Sequence, residues 1–136
     1  MKPAVCVSGR GMEKSKIERV LIVDDEPLIV RLLELFLHEL GIEKVIKCPT
    51  LTALMAEVAQ GGFDLAILDV NLCGRPSFPA AEKLLADGVP FFFVSGYVHE
   101  DMPAQLRQVP LIPKPYLADD IARAIDRVTS PESISR

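Results

Sequence analysis

The sequence predicts a doubly wound α/β domain, in which a parallel sheet of five strands is covered by helices on both faces and joined by right-handed crossovers. Three observations predict it. Short apolar runs alternate with stretches of helical periodicity from residue 19 to residue 129. The runs are apolar at nearly every position, as in strands buried on both faces. The chain of 136 residues, 49% of them hydrophobic, can fill one core and hardly two.

Each element follows in order. Residues 1–18, "MKPAVCVSGRGMEKSKIE", show no sustained periodicity and read as a flexible N-terminal extension. "RVLIVDDE" is a β-branched run ending in acids, the first strand. Pro27 suits the first turn of a helix, with Ile29, Leu32, Leu33, Phe36 and Leu40 as its inner face and Gly41 as its stop. "KVIKC" is the second strand. Thr50 is a candidate N-cap for a helix that faces inward through Leu51, Leu54, Met55 and Val58 and ends at Gly61-Gly62. "FDLAILD" is the third strand, residues 79–86 a short helix closed by Gly88, "VPFFFVSG" the fourth strand and "PLIPKP" a brief fifth. The stretch from Tyr97 to Val109 contains Pro103 and is short for a loop plus a full helix, so the fourth helix is expected to be brief or mobile. Leu117, Ile121, Ala124, Ile125 and Val128 mark a last helix, before a C-terminal tail over 130–136. The five strands suit a flavodoxin-like order, 2-1-3-4-5, in which function gathers at the carboxyl ends of the strands.

Bulk properties narrow the function. A net charge of -4 and no basic stripe argue against direct nucleic-acid binding. Cys6, Cys48 and Cys73 have no CxxC spacing and suggest neither a disulfide framework nor a zinc site. No apolar run reaches the roughly 18 residues of a membrane span, and no signal peptide is visible. A soluble cytoplasmic protein is expected, a monomer or weak homodimer, with no further domain after residue 129 to carry a DNA-binding output.

At the strand ends stand Asp24 and Asp25 after the first, Asp69 after the third, Ser95 after the fourth and Lys114 after the fifth. The first and third strands are neighbours in the expected order, so three carboxylates converge. Like charges so close raise one another's pKa unless a cation lies among them, and an oxygen-only donor set suits Mg²⁺. Asp69 is then a candidate nucleophile toward a phosphoryl group, Lys114 the cation that draws off its charge, and Ser95 a hydrogen-bond donor to its oxygens. Taken singly, each residue has an ordinary use. Asp24 or Asp25 suits a helix cap, Asp69 and Ser95 suit turns, and Lys114 between prolines suits a solvated lysine. Their joint occurrence at successive strand ends favours a phosphorylation switch.

"VDDE", "LDVNL", "SG" and "KP", in this order over residues 19–129, resemble the receiver domain of bacterial two-component response regulators. The resemblance implies that Asp69 accepts phosphate from a sensor histidine kinase or phosphotransfer protein. It implies that Asp24, Asp25, Asp69 and the backbone carbonyl of Asn71 hold Mg²⁺, and that the bond between Lys114 and Pro115 is cis. "SFPAAEKLLADGVPFFFVSGY" is similar to stand-alone receivers with a Phe-Ala-Thr-Gly-(Gly)-Tyr signature, met here as Phe93, Val94, Ser95, Gly96 and Tyr97. One departure concerns the switch. Where most receivers carry Tyr or Phe three residues before the lysine, this chain has Leu111, which leaves Tyr97 as the candidate replacement.

Such a protein is a phosphoacceptor that assists its own phosphorylation and dephosphorylation, not an enzyme of turnover. A dehalogenase-type phosphatase also uses an aspartate nucleophile and Mg²⁺, but on the first strand as Asp-x-Asp, whereas here Asp24 and Asp25 are adjacent. A receiver-like module that binds proteins without phosphate is the other alternative, favoured by Leu111 and opposed by the full acid, serine and lysine set. Cys73 is expected to be a plain loop cysteine, since nearby acids oppose a reactive thiolate. His38 is expected on the outer face of the first helix.

Overall fold

In the computed structural model, which describes residues 17–96 and 102–130, five strands form one parallel sheet. They are β1 (Arg19–Val23), β2 (Lys44–Cys48), β3 (Leu65–Asp69), β6 (Phe91–Ser95) and β7 (Leu111–Pro113), in the order β2-β1-β3-β6-β7. Counting these five alone, the order is the expected 2-1-3-4-5. The remaining two, β4 (Asn71–Leu72) and β5 (Arg75–Pro76), form a separate antiparallel hairpin that strand periodicity over two residues cannot reveal. The helices are α1 (Pro27–Glu39), α2 (Leu51–Gln60), α3 (Phe78–Ala86) and α4 (Ala118–Thr129).

The alternation of side chains along each strand divides the core into two layers. Leu21, Val23, Ala66, Leu68, Phe91 and Phe93 face α2 and α3, where Leu54, Val58, Ala80, Ala81 and Leu84 meet them. Val20, Ile22, Leu65, Ile67, Phe92 and Val94 face α1 and α4, meeting Leu33, Leu37, Ile121, Ala124, Ile125 and Val128. Every residue of β3 and β6 is buried, which explains why these runs show no polar alternation.

Local chemistry sets the helix ends. Thr50 caps α2 by accepting from the Ala53 amide at 3.1 Å, and the Asp120 carboxylate accepts from the Leu117 amide at 2.8 Å at the start of α4. Gly61, beyond α2, has a φ of +72°, a conformation that would strain any side chain.

Three of the expected inner-face residues lie outside, as does Leu117, one of the residues expected to mark the last helix. Leu32, Leu40, Met55 and Leu117 are exposed, while Leu33 and Leu37 of α1 and Leu54 and Val58 of α2 are buried. The reason is that α1 is apolar on nearly all sides: Leu28, Leu32 and Leu35 form a second stripe, so periodicity alone does not select the face. Leu40 and Leu117 fall at the helix caps. His38 is exposed, as expected. Between β6 and β7 the described residues contain a 3₁₀ turn, Ala104–Leu106, in place of an α-helix. Leu106 is fully buried and Met102 nearly so, and together they join the core layer of Phe91 and Phe93. No helix among the described residues is long and apolar enough to cross a membrane.

Candidate functional site

The carboxyl ends of β1, β3, β6 and β7 meet in one pocket because the strands are parallel and adjacent. One oxygen from each of Asp24, Asp25 and Asp69 lies within 4.8 Å of the other two. Asp24 and Asp69 are buried, and Asp25 is half-buried. Lys114, carried just past β7, reaches back with Nζ at 3.0 Å from Asp24 Oδ2, 3.0 Å from Glu26 Oε1 and 3.2 Å from Asp69 Oδ2. The Lys114–Pro115 peptide bond is cis. The Lys114 amide donates to the carbonyl of Ser95 at 2.8 Å, which ties the lysine to the end of β6, where Ser95 is buried.

Three carboxylates around one ammonium are under-neutralised, and the titration of the groups reflects it. Burial pushes Asp24 above the usual carboxylate value, against the Glu26 amide and Lys114, which favour its ionised form. Asp69 is likewise pushed up by burial and then by the charge of Asp24, with Lys114 and the Asn71 amide opposing. Asp25 is more open. Burial works to raise it, but the hydrogen bond from the Cys73 amide, 2.8 Å from Oδ2, helps to hold it below the usual value. Burial tends to lower Lys114, yet its bonds to Asp24 and Glu26 raise it, so the ammonium stays charged. The directions agree physically: the single cation is over-served and the acids are left with excess negative charge.

A hard divalent cation fits such a pocket. The donors are oxygens only, they are close together, and the two buried acids are held above their ordinary pKa first by burial and then by neighbouring negative charge, both of which a bound cation would offset. The Asn71 amide donates to Asp69 Oδ1 at 3.3 Å, and the Asn71 side-chain oxygen is buried without a hydrogen-bond partner.

Several residues of this region escape sequence reasoning. Ser77, fully buried, donates its hydroxyl to the Asp69 carbonyl at 2.7 Å, and its amide donates to the Val70 carbonyl at 2.8 Å. Its only sequence signal is a serine at a helix start, which reads as a cap, yet its side chain makes no cap bond. Glu26 sits inside the "VDDE" run but gains its contact with Lys114 only across the fold. Tyr116 is buried against Phe36 in an edge-on contact, ring centres 6.5 Å apart, with its hydroxyl unpaired. Leu111 is half-buried beside Phe93 and packs on the α2 and α3 side of the sheet. Tyr97, the expected replacement for an aromatic there, lies outside the described residues. Cys73 is exposed, and its hydrogen bond with Asp25 raises its thiol pKa, with the acid's charge acting in the same sense.

Residues 20–126 match the family model for the response regulator receiver domain. The sensory transduction protein LytR of Staphylococcus haemolyticus is 25% identical over 114 residues, which cover 81% of this chain and 44% of that protein. The chain thus spans less than half the length of the curated relatives it matches. Among solved structures, SdrG from Sphingomonas melonis Fr1 is 37% identical, with 88% of this chain and 98% of SdrG covered and a TM-score of 0.73. SdrG from Pseudomonas melonis Fr1 in its BeF3-activated conformation is 40% identical over 82% of this chain and 95% of that one, with a TM-score of 0.67. The PhyR receiver domain of Erythrobacter litoralis is 28% identical over 85% and 92% of the two chains, with a TM-score of 0.71.

Proposed function

The chain belongs to the response regulator receiver domain family, and from this we propose that it is a phosphoacceptor that takes a phosphoryl group onto Asp69 from a histidine kinase or phosphotransfer protein and signals by protein contact. The observation that carries the reading is the joining of a clustered Asp24, Asp25 and Asp69 with Lys114 at 3.2 Å from Asp69. In the reaction an oxygen of Asp69 forms a bond to phosphorus as the bond from phosphorus to the donor's imidazole nitrogen breaks, and the imidazole leaves with the bonding pair. Lys114 donates toward the phosphoryl oxygens. Ser95, at the end of the neighbouring strand, is suited to donate its hydroxyl to a phosphoryl oxygen on Asp69 and so to register the change. Asp24, Asp25, Asp69 and the carbonyl of Asn71 would hold Mg²⁺, which when bound offsets the negative charge of the carboxylates and the incoming phosphoryl group.

One further observation supports the partner and another the subgroup. Leu28 and Leu117 are 84% and 72% exposed, and each follows within three residues one member of the Glu26–Lys114 pair at the pocket. Apolar side chains so placed suit the docking of a donor protein's helical face, with the phosphohistidine directed at Asp69. The likeness to SdrG and PhyR also supports the Phe-Ala-Thr-Gly-(Gly)-Tyr subgroup, which this chain approaches with Phe93, Val94, Ser95, Gly96 and Tyr97.

The test is the intact mass after incubation with Mg²⁺ and acetyl phosphate or phosphoramidate, beside Asp69→Asn. A gain of one phosphoryl group, lost with EDTA and absent from the variant, is expected. A label retained by the variant would remove Asp69 as acceptor. No label, together with no binding of Mg²⁺, would favour the phosphate-independent binding module that Leu111 suggests.

A further inference from the structure

Lys114 has three N–H donors, and each is directed at a different carboxylate. Two of these acids, Asp24 and Asp69, belong to the oxygen cluster at the strand ends, and Glu26 does not. The side chains also differ in exposure: 0% for Asp24, 9% for Asp69 and 60% for Glu26. Asp24 is fully engaged, with Oδ1 accepting from the Glu26 amide at 2.9 Å and Oδ2 accepting from Lys114. A divalent cation drawn to the cluster therefore competes with the ammonium for the Asp24 carboxylate. Glu26 has no such conflict, because it holds Lys114 from the solvent side of the pocket.

We propose that Glu26 is a positioning residue for Lys114: it seats the ammonium at the rim, beside Asp69, when Asp24 turns from Lys114 to a divalent cation. The backbone makes this exchange local. The amide of Glu26 is bound to Asp24 and its side chain to Lys114, so the acid that yields the lysine and the acid that receives it are two residues apart. The cation enters without forcing Lys114 away from the oxygen it is to serve. The proposal rests on the reading of the cluster as a cation site.

Mg²⁺ titrations followed by amide NMR shifts at constant ionic strength test it, with wild type, Glu26→Gln, Lys114→Met and the double variant. Glu26→Gln is expected to weaken Mg²⁺ binding about threefold with Lys114 present, and by less than about 1.5-fold with Met at 114. If Glu26 acts only as a nearby negative charge, the factor is the same in both backgrounds, and the proposal is overturned. No effect in either background overturns it too. Glu26→Asp gives an independent reading should Lys114→Met fail to fold: the charge is kept and the reach shortened, so an affinity between those of wild type and Glu26→Gln is expected. Equality with wild type counts against a positioning role. Failure of the underlying cation reading looks different, because wild type itself would then show no saturable shifts at Asp24, Asp25 and Asp69.

Discussion

The Ser77 hydroxyl donates a 2.7 Å hydrogen bond to the main-chain carbonyl of Asp69, eight residues earlier in the chain. With the bond from the Ser77 amide to Val70, it closes the base of the loop that carries Asn71 and Cys73, while the Cys73 amide ties the tip to Asp25. The hairpin is thus pinned at both ends to the acid cluster. Ser77→Ala removes a bond between buried groups and should cost about 1–3 kcal/mol. The check is a lower urea midpoint with an unchanged m-value. An unaltered midpoint would mean that water or another donor replaces the hydroxyl.

Asp69→Asn should leave the fold as stable as wild type or more so, by up to about 1 kcal/mol, when Mg²⁺ is absent. The variant removes one charge from a crowded set, since burial and then the charge of Asp24 act against ionised Asp69. Lys114 retains Asp24 and Glu26. Urea unfolding in EDTA measures this, and a clear loss of stability would show that the Lys114–Asp69 pair outweighs the repulsion.

The pocket also predicts a pH dependence of definite sign. A carboxyl whose pKa is raised by folding adds stability that is fully present below its unfolded value, 3.8, and is lost as pH rises through the folded value. The contributions of Asp24 and Asp69 should therefore grow as pH falls from neutral toward about 4. Asp25, held below its ordinary value, contributes in the opposite sense, with stability present above 3.8 and lost as pH falls through its folded value. Urea midpoints of wild type and Asp24→Asn between pH 7 and about 4.5 isolate the Asp24 part, and wild type should gain on the variant as pH falls. Saturating Mg²⁺ should flatten that gain, because a bound cation favours the ionised acids. A gain that survives Mg²⁺ unchanged would place the raised acids outside the cation's reach.

Leu106→Ala should destabilise by about 2–5 kcal/mol, as a core leucine does. Its position in a 3₁₀ turn between Pro103 and Arg107 suggests a tolerant loop, but its side chain is fully buried in the layer with Phe91 and Phe93. Thermal or urea unfolding decides between the two, and a loss below about 0.5 kcal/mol would mark the turn as dispensable to the core.

The order of the strands, the bounds of most helices and the positions of Asp24, Asp25, Asp69, Ser95 and Lys114 at strand ends were legible in the sequence by itself. They depend on local patterns: apolar runs buried on both faces, a proline at a helix start, glycines beyond helix ends. Tertiary structure alone decided which side of α1 is buried, because Leu28, Leu32 and Leu35 are as apolar as Leu33 and Leu37, and only the sheet and α4 select between the stripes. It alone showed that Leu106 fills the core from a 3₁₀ turn, that Ser77 serves Asp69 instead of capping α3, and that Glu26 meets Lys114 from 88 residues away. Contacts of this kind leave no periodic trace along the chain. They arise when parallel strands bring distant loops to one edge, where the geometry, and not the residue type, determines which hydroxyl or carboxylate finds a partner.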